Sequence, residues 1–232
     1  MKNTESRGQL WISRYGNCKK KNIRYWIIFY MRQSLFPRVS SLRPKPDTRG
    51  FCMKNFKREN LMFSLCGLHC SLCPMNLNQY CPGCGGGEGN QSCSIAKCSL
   101  QHGNIEYCFQ CENYPCERYE NIDKFDSFIT HQHQKRDMEK FRELGIDAYT
   151  AEQQRKQVLL NHLLNTYNDG RKKTLFCIAV NLLELDDLEN IINELDATTS
   201  AFPRKERAAH AGRLLQETAD KKGVVLKLRK KR

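Results

Sequence analysis

Ten cysteines fall between Cys66 and Cys116, at Cys66, Cys70, Cys73, Cys81, Cys84, Cys93, Cys98, Cys108, Cys111 and Cys116, and no other feature of the chain restricts its possible folds so strongly. Three pairs share the Cys-x-x-Cys spacing: Cys70 with Cys73, Cys81 with Cys84, and Cys108 with Cys111. Two residues between thiols let a tight turn bring both sulfurs to one tetrahedral ion, about 2.3 Å away if the ion is zinc. The turn chemistry agrees. In "CPGCGGG", Cys81 to Gly87, Pro82 fixes one backbone angle and Gly85 permits a left-handed conformation after the second thiol. The spacing therefore predicts a small Cys-rich metal-knuckle module over residues 61–118, irregular and with little regular structure.

Disulfides are the structural alternative for so many cysteines. They suit small secreted domains, but no secretory signal is legible here, and adjacent Cys-x-x-Cys pairs are awkward partners for long-range bridges. Metal is the preferred reading. Ten cysteines do not divide evenly into tetrahedral sites: two four-cysteine sites leave two thiols over, and three sites need twelve ligands. His69 and His102 would complete twelve by number. His102 is the better histidine candidate, because His69 sits directly beside Cys70 and neighbouring residues seldom serve one ion. The same thiolates also bind iron, so an Fe-S cluster is the alternative cofactor to two or three zinc ions. Cys66, Cys70 and Cys73 have the spacing used by radical S-adenosylmethionine enzymes, and Gly86 to Glu88 imitates a second motif of theirs. The strand and helix units that such a fold needs after its cluster are missing from the next forty residues, so the match is taken as coincidence. Cys18 and Cys52 lie apart near the N-terminus, and Cys177, in "TLFCIAV", is expected to behave as a small core hydrophobe.

The net charge of +13 needs locating before it is interpreted. Residues 1–60 carry 15 Lys or Arg against 3 acids, residues 204–232 carry 11 against 3, and residues 61–203 carry 12 against 19. The basicity belongs to the ends, so a basic nucleic-acid groove is not implied for the acidic middle. Residues 1–60 read as a disordered basic leader or a start-site artefact, with Met53 or Met62 as the working start. Their one apolar run, Tyr25 to Met31, is far short of the roughly 20 residues that span a bilayer. Three prolines in "FPRVSSLRPKPDTRG" then break any regular pattern. No transmembrane segment is expected, and a cytoplasmic location follows from the reduced-thiol reading.

After Cys116 the pattern becomes helical, predicting an all-α helical bundle over residues 119–195. Tyr119, Ile122, Phe125, Phe128 and Ile129 recur at three- and four-residue steps, as one buried helix face requires. "RDMEKFRELG" ends at Gly145, a helix stop. "TAEQQRKQVLLNHLLNTY" opens with Thr150 and Gln153 in capping-box spacing, and His162 within it is read as structural. "RKKTLFCIAVNLLEL" is nearly all apolar after its first turn and should be the central helix, and Asp186 or Asp187 then caps "LENIINEL". Residues 196–232 read as a basic C-terminal helix followed by "VVLKLRKKR", a short alternating strand or a solvated tail. The connection Tyr167 to Arg171, "YNDGR", is turn chemistry, but Tyr167, Asn168, Asp169 and Arg171 would also place donors and charges at one spot, making a possible secondary site.

The ordered set "CGLHCSLCP", "CPGCGGG", "CSIAKC", "IEYCFQCENYPCERY", "RELGIDAYTAEQ" and "YNDGRKKTLFCIAVNLL" resembles the DUF3795 family, a cysteine-rich group of bacterial and archaeal proteins of unknown function, over about residues 64–195. The resemblance implies presumed zinc binding with the ten cysteines as ligands, and it strengthens Tyr167 to Arg171 as more than a loop. It implies no activity.

Two function classes remain. A binding or scaffold protein would use closed four-cysteine zinc sites as structural elements that present a rigid surface to a partner. An enzyme would work by redox chemistry through Fe-S clusters or unligated thiols, or by metal assistance at an open coordination position. The sequence carries no His-rich open zinc site, no phosphate-cradling glycine loop and no paired acid-base constellation, which favours the first class. The partner is not named by the sequence. A protein is the first class to consider, and the basic tail would also suit a nucleic-acid phosphate surface, although a solvated charged face is the commoner use of such a tail.

Overall fold

Glycine, proline and tertiary contacts decide where the helices of this chain start and stop. The structure, a computed structural model, describes residues 55–87 and 93–231; the expectations for residues 1–54, including Cys18 and Cys52, lie outside them. The first described segment makes a 3-10 turn at Cys70–Leu72 and runs into α1, Pro74–Leu77, which Pro74 opens at a position where its missing N–H costs nothing. Then come α2, Ser94–Gln101, and two more 3-10 turns, Cys108–Gln110 and Glu117–Tyr119. The longer helices follow: α3, Gln134–Leu144; α4, Ile146–His162, prolonged by a π-helical turn over Leu163–Tyr167; α5, Lys173–Leu182; α6, Leu185–Thr198; and α7, Arg204–Lys221. Among the described residues there is no strand, and no helix is long and apolar enough to cross a membrane.

The apolar run in α5 makes it the centre of the helical region. Every residue from Phe176 to Leu182 is buried, Cys177 among them at 2% exposure. Around it pack Leu159, Leu160 and Leu163 of α4, Leu188, Ile192 and Leu195 of α6, and Ala211, Leu215 and Ala219 of α7. Leu72, from the first 3-10 turn, is fully buried in the same core, so the cysteine-bearing segment is anchored in the helices. A second cluster of Phe63, Tyr107, Met138, Phe141 and Tyr149 joins that segment to α3 and α4. Its rings meet at centroid distances of 4.6 Å for Tyr107 and Phe141 and 5.2 Å for Phe63 and Tyr149, geometry that adds to simple burial.

Four local expectations are corrected. The helix expected through Tyr119 to Ile129 does not form: after Tyr119 the chain runs in turns, Phe125 and Phe128 are exposed, and Ile129 is buried. Asp126 explains it. Its carboxylate accepts the His131 N–H at 2.7 Å and the Arg229 N–H at 2.6 Å, local and distant bonds that compete with helix geometry. The fourth helix starts at Ile146, because Gly145, at φ 80°, both ends α3 and opens α4; Thr150 lies within the helix and Gln153 is buried. Glu184 precedes α6, while Asp186 and Asp187 occupy its first turn, where a carboxylate suits the helix dipole. The C-terminal segment keeps the alternation expected of a strand, with Leu226 buried between exposed Val225 and Lys227, but pairs with no strand among the described residues. Just ahead of residue 61, Phe56 and Arg58 are buried at 6% and 8% exposure.

Candidate metal centre

Two of the Cys-x-x-Cys pairs adopt one local structure. The Cys73 N–H donates to the Cys70 carbonyl at 3.1 Å, and the Cys111 N–H to the Cys108 carbonyl at 3.0 Å, each closing a 3-10 turn with both cysteines at its ends. The third pair, Cys81 and Cys84, is separated by Pro82 and by Gly83 at φ +97°, a backbone angle that other residues rarely adopt. Gly85, at φ +87°, lets the chain pass over Arg58, whose Cγ would lie 2.7 Å from an added Cβ. Arg58 in turn holds the segment: its guanidinium donates to the carbonyls of Phe63 at 2.8 Å and Glu106 at 3.0 Å, pairs with the Glu106 carboxylate at 3.1 Å, and covers the Tyr107 ring. The Cys108 N–H donates to the Leu65 carbonyl at 3.0 Å, which brings the Cys108 and Cys111 pair beside Cys66.

All eleven described cysteines are free thiols. Burial pushes the Cys70 thiol up to about 12, against a hydrogen bond from the Cys84 backbone N–H, with the neighbouring thiols of Cys84, Cys73 and Cys81 raising it further. Burial also raises Cys73, opposed by the backbone N–H groups of Met75 and Asn76 at the start of α1. Cys70, Cys73, Cys81 and Cys84 thus form a first group. Cys98, Cys108, Cys111 and Cys116 form a second, lining one cavity of about 30 Å³ with Tyr119. There burial pushes Cys108 up to about 12, opposed by the Tyr119 hydroxyl and reinforced by Cys116, Cys98 and Cys84. Cys66 lies between the groups. Its sulfur is 3.3 Å from the Ser64 hydroxyl, and burial raises its pKa, with Cys84, Cys93 and Cys108 as its charged-form neighbours. Cys93, which is exposed, shares that intermediate position.

The donor chemistry of each group fits a soft divalent ion. Four half-buried thiols held together repel one another when ionised unless a cation offsets the charge, and in the first group backbone N–H groups aimed at the sulfurs of Cys70 and Cys73 are the outer partners that metal-bound thiolates keep. The spacing is not closed: as the side chains stand, no group of three or more His, Cys, Asp or Glu among the described residues forms a metal site.

His102, at the end of α2, lies near the second group. Its Nδ1 is 3.6 Å from the Cys98 sulfur and 2.8 Å from the Cys98 carbonyl oxygen, to which it can donate, leaving Nε2 as its free ligand atom. His102, Cys98, Cys111 and Cys116 all line an open groove of about 1210 Å³, so the second group faces solvent more directly than the first. In the connection Tyr167 to Arg171, Tyr167 is buried and donates to Asp196 at 2.6 Å, Asn168 Oδ1 accepts the N–H groups of Gly170 and Lys172, and Asp169 Oδ1 that of Arg171, bonds that fix the shape of the loop. His162 pairs with Asp196 at 2.9 Å.

A buried polar cluster that no spacing announces ties the cysteine-bearing segment to α3 and α4. His69 Nε2 lies 3.1 Å from the Asp137 carboxylate and 3.1 Å from the Tyr149 hydroxyl. Gln134 donates to the Cys66 carbonyl at 2.9 Å. Close by, the Lys156 ammonium donates to the Leu183 carbonyl at 2.8 Å. His69 is therefore fixed as a tether beside Cys70 rather than grouped with the thiols. Compared with protein-family models, curated proteins and solved structures, the chain finds no match.

Proposed function

We propose that this is a zinc-binding protein whose thiolate sites are structural, and that it serves as a binding or scaffold module. The observation that supports the reading is that Cys70 has Cys73, Cys81 and Cys84 as thiol neighbours while Cys98, Cys108, Cys111 and Cys116 line one cavity, each set drawn from stretches of chain that are separate in sequence. In this reading Cys70, Cys73, Cys81 and Cys84 hold one ion and Cys98, Cys108, Cys111 and Cys116 a second, with small side-chain rotations closing the spacing. Cys66, Cys93 and His102 are the reserve ligands for a third ion or for exchange. Residues 61–118 then form a metal-knuckle module on an all-α bundle, and the protein works in a reducing compartment such as the cytoplasm, where thiols persist. The resemblance to the DUF3795 family supports the same ligand set. Closed four-thiolate sites contribute folding energy and leave no open coordination position for catalysis.

Metal analysis with an optical spectrum, on protein purified without oxygen, tests this. Two zinc ions per chain and no visible absorption are expected, with chelation unfolding residues 61–118 and exposing them to protease. Iron with sulfide and a brown colour would replace the reading with an Fe-S or thiol-dependent redox enzyme. An apo form with unchanged circular dichroism and protease resistance would remove the structural role of the metal.

A further inference from the structure

The turn segment that was expected to bury its aromatic residues instead presents them beside the basic C-terminus. Phe128 is 62% exposed, Phe125 40% and Val225 61%. Departures from sequence-level consistency are where functional surfaces are expected. The surface is built, not frayed. The Asp126 N–H donates to the Arg229 carbonyl at 2.7 Å, and Arg229 returns bonds to the Asp126 carboxylate from its backbone N–H at 2.6 Å and from its guanidinium at 3.0 Å. Gln132 donates to the carbonyls of Val225 and Lys227 at 3.2 and 3.4 Å. Residues 126–132 therefore run against residues 225–229 in opposite directions, and Leu226, buried in the main core, fixes which side of the tail faces out.

Exposed cations and exposed rings lie together on these two segments. Lys124 sits 5.6 Å from the centre of the Phe125 ring, and Lys227, Lys230 and Lys231 are exposed with no ion pair among the described residues. On the turn segment Asp126 is paired with Arg229 and Asp123 with Lys135. Unpaired cations attract a polyanion, and exposed rings give unpaired bases a face to stack on. A membrane surface would instead call for a continuous apolar helix face, whereas the apolar residues alternating with these cations, Leu226 and Leu228, pack into the core.

We propose that the face formed by Phe125, Phe128, Lys124, Lys227, Lys230 and Lys231 binds single-stranded nucleic acid, with bases on the phenylalanine rings and phosphates on the lysines. The proposal is independent of the metal. The test is fluorescence anisotropy of a labelled oligouridylate of about 12 nucleotides with the full chain, in a salt series. Because the basic residues 1–60 also attract polyanions, the comparison is between full-length variants. Phe128→Ala should weaken binding roughly 5- to 150-fold with unchanged thermal unfolding. The combined Lys227→Gln, Lys230→Gln and Lys231→Gln variant should reduce the salt slope by about 2. Unchanged affinity in both variants would overturn the proposal. So would weakening by the lysine changes alone, which would leave only a diffuse charge effect, or tighter binding to vesicles of equal parts phosphatidylcholine and phosphatidylserine, with the same two variants impaired.

Discussion

Replacing Asp137 by alanine should cost this protein about 3 kcal/mol, and the figure can be assembled from the groups around the carboxylate. Its bond with His69, at 3.1 Å, lies in a site where Asp137 is 7% and His69 4% exposed. A hydrogen bond to a charged group is worth about 1.5–3 kcal/mol, and removing its acceptor leaves the buried imidazole with the Tyr149 hydroxyl as its remaining neighbour. Arg136, 3.4 Å away on a half-exposed side chain, adds a surface-bridge increment of under about 1 kcal/mol. The buried Lys156 ammonium also loses a compensating charge. For a folded region of this size the melting temperature should fall by about 6–12 °C. Burial alone would raise the Asp137 pKa, but the hydrogen bond and charge of His69, with Arg136 and Lys156, bring it below the usual carboxylate range. The sign of the pH dependence follows. A depressed pKa contributes stability that is complete above the unfolded value, about 3.9, and is lost as the pH falls through the lower folded value. Thermal unfolding of wild type and Asp137→Ala, followed by circular dichroism, should therefore show a gap that is present at about pH 5 and narrows below about pH 4. A gap under about 1 kcal/mol at neutral pH, or one that stays undiminished at low pH, would refute the tether.

Gly67→Ala should be strongly destabilising, because Gly67 sits at φ +99° and a Cβ there would lie 2.8 Å from the Gln134 carbonyl oxygen; denaturant titration should show a lower midpoint with an unchanged slope. Cys177→Ala should leave metal content unchanged while lowering stability by about 1 kcal/mol, since this thiol, 2% exposed, packs in the apolar core, and metal analysis beside a melting curve separates the two effects. Asp126→Ala should free the C-terminal segment, so that trypsin cleaves after Lys227 and Arg229 faster than in the wild type while the helices remain protected.

What could be read from the sequence is what repeats within a few residues. The continuous apolar run of α5, the Gly145 stop of α3 and the paired cysteines are local signals, and each has its counterpart in the structure. The division of the thiols into two groups is only partly local. Cys70 with Cys73 is one turn, but its partnership with Cys81 and Cys84 depends on a chain reversal held by Arg58, a residue the charge pattern had assigned to the leader. Bonds across 68 and 80 residues, from His69 to Asp137 and Tyr149, leave no period to detect. The turn at Asp126 shows the reverse error: a helical spacing was present at Tyr119 to Ile129, and a carboxylate whose partner lies 103 residues away overrode it.

These long-range bonds also show how the two parts of the molecule depend on each other. Leu72 lies one residue before Cys73 and is buried among the helices, while His69 lies one residue before Cys70 and is held by α3 and α4. The first thiol group is therefore positioned in part by packing outside the thiols themselves. The second group is anchored by Tyr107, one residue before Cys108 and buried against α3, with Phe109 stacked on it at 5.6 Å, but Cys98, Cys111 and Cys116 face the open groove. On the proposed reading the two ions should not leave together. Chelator should strip the Cys98, Cys108, Cys111 and Cys116 site first, and an Asp137→Ala variant should narrow the interval by loosening the anchor beside Cys70. Stepwise release followed by native mass spectrometry reads this directly, and simultaneous loss of both ions from the wild type would contradict the packing argument.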